Sequence, residues 1–148
     1  MLHVLLVIAH IVFASAWFGL AVALPVLSRA AATSPSEALT AVGTRVVQIM
    51  TASVILFYVL AVANFFVGGG FSAYPPTYHI ALTLGLALVL IQVLVVQPTW
   101  IKLGAGDAEA LAASRKRLGM WVGIGHAIWF VILVLMFLGP KWSAAWGY

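Results

Sequence analysis

Four runs of about twenty residues, almost free of charge, leave this chain few ways to fold. They span roughly 2–24, 45–67, 79–97 and 118–139. About twenty apolar residues wound as a helix match the hydrocarbon thickness of a bilayer. Backbone polar groups must be satisfied inside the lipid, so such runs become helices and not open sheets. The expected fold is an all-α integral membrane protein, one domain over 1–148 with four transmembrane helices in a bundle. Composition agrees, since 7% of the residues are charged against roughly 25% in a soluble domain. The first run has no basic segment ahead of it and no small-residue cleavage site behind it. It is read as a retained span, not a signal peptide.

Each run ends at a helix breaker: Pro25, Gly68-Gly69-Gly70, Pro98, and Gly139-Pro140. Proline removes a donor from the helical ladder and glycine tolerates the closing conformations. In the first connection Ser34-Pro35-Ser36-Glu37 reads as a capping box, with Ser34 the cap and Pro35 at the first helical position. The second helix would then begin before the membrane, with Gly43 a weak point. In the third connection Asp107 and Glu109 precede Arg115-Lys116-Arg117, a polarity that suits the dipole of a short interfacial helix.

Four spans place the first and third connections on one side, which carries Arg29, Arg45, Lys102, Arg115, Lys116 and Arg117, against Lys141 alone on the other. The positive-inside rule makes the richer side cytoplasmic and puts both termini outside. The expected location is a bacterial inner (cytoplasmic) membrane. The pI near 9.9 is thereby a matter of topology, and no nucleic-acid partner is expected. Trp100 and Trp121 fall near the inner interface; Tyr74, Tyr78, Trp142, Trp146 and Tyr148 fall near the outer one. That is an aromatic belt.

His3, His10 and Trp17 recur every seven residues along the first helix. At about 100° per residue they share a face. Ionisable groups in an apolar span usually face the bundle interior, so this stripe is where chemistry is sought. His10 lies about 10 Å deeper than His3. His126 is 13 residues before Gly139, which also puts it near mid-membrane, within about 5 Å of His10 in depth. Two imidazoles at one depth on facing helices can be axial ligands of a haem held in a bundle. Gly119 and Gly123 share the face of His126; they serve either close helix packing or space for a macrocycle.

Two stacked haems, one on His3 and His79 and one on His10 and His126, would collide at a spacing of about 10 Å. One haem b is therefore expected, with no second metal. His126 is the expected partner of His10 and His79 the runner-up, while His3 and His79 are propionate partners, ligands or plain interfacial histidines. Absent cysteine excludes thiolate sites. Gln48, Asn64, Gln92 and Gln97 read as interhelical hydrogen bonds. There is no phosphate loop, no dinucleotide fingerprint and no hydrolase elbow.

The first helix reads His10-x6-Trp17-Phe18 with Pro25 eight residues beyond the tryptophan, and the second opens Arg45-Val46-Val47-Gln48-Ile49-Met50-Thr51. This resembles the HemJ-type protoporphyrinogen oxidases and the wider CopD-like four-helix membrane proteins. The likeness covers the first two helices and extends less fully to the third, where Tyr78-His79 stands near that family's Trp-x-His-x-Lys. The resemblance implies haem b bound through His10 and an important arginine at Arg45. Ala81 stands at the family's lysine, and Gly123-Ile124-Gly125-His126 replaces its Asn-Glu-x-Pro. The haem-binding frame is thus the part carried over.

The expected function is membrane-embedded electron transfer by a b-type haem, with a quinone, or as a homo-oligomer or one subunit of a larger redox complex. The alternatives are a non-catalytic structural subunit, a HemJ-like porphyrinogen oxidase, and a copper- or zinc-handling membrane protein.

Overall fold

The structure, a computed structural model, describes residues 1–33, 36–103 and 108–145. Helix α1 runs Leu2–Thr33 and α2 runs Glu37–Val67. A 3-10 turn, Gly70–Ser72, leads into α3 (Pro76–Ile91). A π-helical turn at Gln92–Val96 joins α3 to α4 (Gln97–Leu103), and α5 runs Ala108–Ala145. No strand occurs among the described residues. Four helices are long and apolar enough to cross a membrane: α1, α2, the composite Pro76–Leu103, and α5. Large apolar side chains such as Val22, Ile49, Leu94 and Phe130 point outward. This is the surface of a bundle whose solvent is lipid.

The spans are longer than their breakers imply. Helix α1 passes straight through Pro25 to Thr33. A proline costs a transmembrane helix one ladder bond, which neighbouring helices and local adjustments offset. At Pro98 the adjustment is visible. Its ring would crowd the carbonyl four residues earlier, and the turn just before it widens, with the Gln97 N–H donating to the Gln92 carbonyl. Helix α5 likewise continues beyond Gly139 to Ala145. The basic cluster Arg115–Arg117 belongs to its first turns, so the separate interfacial helix expected there is absent; Asp107 lies outside the described residues.

The cap of α2 is Ser36, whose hydroxyl accepts from the Leu39 N–H at 3.2 Å. Ser34 and Pro35 lie outside the described residues. At the other end of α2, the Gly68 N–H donates to the Asn64 carbonyl at 2.9 Å. Gly69 (φ 110°) and Gly70 (φ 67°) then take the left-handed conformations that turn the chain towards α3.

Gly43 is no weak point. It is buried in α2, and a Cβ there would overlap the Trp100 indole. Trp100 is itself buried and donates from Nε1 to Thr44 Oγ1 at 3.1 Å. It therefore locks α4 onto α2 and does not sit in an interfacial belt. Trp121 packs half-buried against the core, and the side chains of Trp142, Trp146 and Tyr148 lie outside the described residues. Gly43→Ala is expected to force the indole out and cost about 1–3 kcal/mol. The check is denaturant unfolding in detergent, and an unchanged midpoint would remove Gly43 from this role.

Candidate functional site

The heptad stripe of α1 does not share one environment. His3 is exposed, His10 half-buried and Trp17 only 2% exposed. Seven residues of a straight helix drift by about 20°, and the first turns of α1 run along the rim of the bundle before the helix sinks into it.

His10 is held from two sides. Its Nδ1–H donates to the Phe57 carbonyl at 3.0 Å, and its ring stacks on the Phe57 ring at 4.6 Å and 27°. That fixes the tautomer and leaves the Nε2 lone pair free. Ligating histidines are arranged this way, with the second nitrogen tied to a carbonyl or carboxylate behind them.

His126 shows the same pattern in another place. Its Nδ1–H donates to the Val122 carbonyl one turn back at 2.9 Å, and its Nε2 is buried without a partner. The ring packs 4.8 Å from Phe18, edge to face, and 5.9 Å from Trp17. His126 therefore lies at the depth of Trp17 and Phe18, about 10 Å along α1 from His10. The expected offset was half that. The reason is α5 itself: Gly139 is not its end, so counting inward from Gly139 sets His126 too close to His10.

Trp17 packs beside the His126 ring. Its indole lies against Gly125, whose Cβ would come within 3.0 Å of it, and Nε1–H donates to Gln92 Oε1 at 3.2 Å. The bond opens a buried polar chain. Gln92 Nε2 donates to Thr51 Oγ1 at 3.1 Å. The single Thr51 hydrogen then serves the Val47 carbonyl at 2.9 Å or Gln97 Oε1 at 3.3 Å. Residues 92 and 97 of a regular helix would point about 140° apart; the π turn before Pro98 brings both to Thr51. Gln92 and Gln97 thus do make interhelical bonds. Thr51 is the partner that sequence reasoning missed, and Pro98 was its available signal.

The other candidates are dispersed. Gly119 and Gly123 have nothing within 4 Å of a Cβ position; neither packs closely against another helix of this chain, and both lie on the far side of His126 from His10. Arg45 is exposed and lines a cleft of about 540 Å³ with Glu37, Thr40, Thr44 and Gln48. It lies 12 residues, about 18 Å, down α2 from Phe57. His79 sits at the opposite end beside Phe65, at 5.5 Å between rings. No three of His, Asp and Glu gather for a metal ion among the described residues.

His10 and His126 of one chain are not brought together: they are offset by about 10 Å along α1, with Trp17 packed beside His126. His10 and His126 each present an oriented ring with an unbonded Nε2, and a haem held through His10 would use that nitrogen. Comparison with protein-family models, with curated proteins and with solved structures finds no match.

Proposed function

We propose that this membrane protein is a b-type haem protein that acts in electron transfer, with His10 as the protein ligand of the iron. The observation that carries the reading is the His10 imidazole, pinned through Nδ1 and by stacking on Phe57, with Nε2 free inside an apolar span. An ionisable side chain at such depth is costly and is commonly functional. Haem bound there supplies one-electron chemistry, its potential set by the axial ligand and by burial. The protein's own part is to orient the ring through Phe57 and to keep water out with the surrounding apolar helices. Electrons would pass to a quinone or to a partner subunit. The test is extraction of pigment from the purified protein, with about one non-covalent protohaem per chain expected. Colourless protein from haem-replete cells would overturn the proposal.

A second reading has its own observation. The core between α1, α2 and α3 is filled by Trp17 and its bonds to Gln92 and Thr51, as in a subunit whose task is to pack. It predicts protein without pigment that purifies only with partner helices.

The orientation proposed is both termini outside, in a bacterial cytoplasmic membrane, from the split of six basic residues to one. A tag at Met1 should react with an impermeant reagent on intact cells. Labelling only after lysis would reverse the topology.

A further inference from the structure

At the end of the bundle where α2 turns into α3, His79 Nε2 is buried and has no hydrogen-bond partner. Buried polar atoms are nearly always paired, so the exception needs a cause. The imidazole is ringed by aromatics: Phe65 edge-on at 5.5 Å and Phe71 tilted at 5.2 Å, with Phe65 and Phe71 5.0 Å apart. Tyr74 stacks on Phe65 at 5.4 Å. Phe71 rides on the 3-10 turn that starts from the left-handed pair Gly69 and Gly70. It is 69% exposed and Phe66 beside it 62%, so this cluster opens on the bilayer.

These features limit what fits. The ligand arrives from lipid and must be lipophilic. It must be flat, because the contacts it would take over are ring against ring, in the offset or edge-on arrangements that aromatics favour. It must accept a hydrogen bond from Nε2–H. An uncharged ligand suits the faces of α2 and α3, since residues 46–101 contain no Asp, Glu, Lys or Arg to pair with a charge.

We propose that this cluster binds a quinone headgroup, whose ring displaces Phe71 against Phe65 while one carbonyl oxygen accepts from His79 Nε2–H. The site names the electron-transfer partner and rests on the haem reading for its purpose. Phe65 lies eight residues from Phe57, which sets the quinone about 12 Å along α2 from the level of His10.

The experiment uses the full chain in nanodiscs, with 13C-labelled histidine, titrated with decylubiquinone and followed by the imidazole resonances. The His79 signal, assigned by its loss in His79→Phe, should shift saturably while those of His3, His10 and His126 stay in place. His79→Phe keeps a ring and removes the donor; it should weaken binding about tenfold, read as protection of quinone from a soluble reductant. Phe71→Ala should bind at least as tightly as the native chain. A shift shared by all four histidines, an unmoved His79, or full affinity in His79→Phe would each overturn the site. Haem content is measured on the same samples, so a missing quinone site with haem intact fails alone.

Discussion

His10→Ala is expected to leave the protein inserted and folded but to remove its haem. Loss of a group that merely backs a metal ligand typically costs 10–100-fold in affinity, so loss of the ligand itself should lower haem content at least about tenfold. The fold should survive, because an apolar side chain is welcome in lipid and the Phe57 carbonyl keeps its place in the ladder of α2. Bound haem per chain, measured beside membrane insertion, is the check. His126→Ala is the companion. Its ring lies about 10 Å from His10 in depth, beside Trp17, so that variant should retain its haem and its spectrum. Full haem in His10→Ala, or loss only in His126→Ala, would transfer the ligand role.

Trp17→Ala should be among the most destabilising substitutions in the chain. The indole is 2% exposed, lies against Gly125 and His126, and satisfies Gln92 Oε1. Truncating a tryptophan in a water-soluble core costs about 3–5 kcal/mol. Part of that is transfer out of water, which shrinks when the alternative surroundings are lipid. The lost packing and the orphaned Gln92 carbonyl remain, the latter worth about 1–3 kcal/mol. A loss of about 2–4 kcal/mol in unfolding free energy is expected, measured by denaturant titration in mixed micelles. Trp17→Phe should recover the packing and not the bond. An alanine variant as stable as the native chain would mean that the buried chain through Gln92, Thr51 and Gln97 does not hold the helices together.

The spans were legible because hydrocarbon thickness and backbone satisfaction leave an apolar run of twenty residues one choice. Their ends were not, because Pro25, Pro98 and Gly139-Pro140 are breakers in water but are absorbed within packed transmembrane helices. That error spreads to the site. Depth counted from Gly139 brought His126 level with His10, whereas the structure sets it beside Trp17 and Phe18. The stripe His3, His10, Trp17 was visible as a period of seven. Its descent from exposed to buried depends on how α1 lies against its neighbours, which periodicity does not encode. Gly119 and Gly123 read as a packing or haem-clearing face, and among the described residues no side chain comes within 4 Å of a Cβ at either, so they do not serve close packing. Gln92 and Gln97 read as interhelical hydrogen bonds, but their common partner Thr51 depends on a π turn that a spacing of five does not announce.

The proposed function rests on a redox-active haem b on His10. Its most direct test is the reduced-minus-oxidised visible spectrum of the full chain, purified from haem-replete cells in a mild detergent. A haem on His10 gives a Soret band that shifts on reduction, with an α band of the b type, both absent from His10→Ala. Native protein that is folded, inserted and without a Soret band in either state would contradict it.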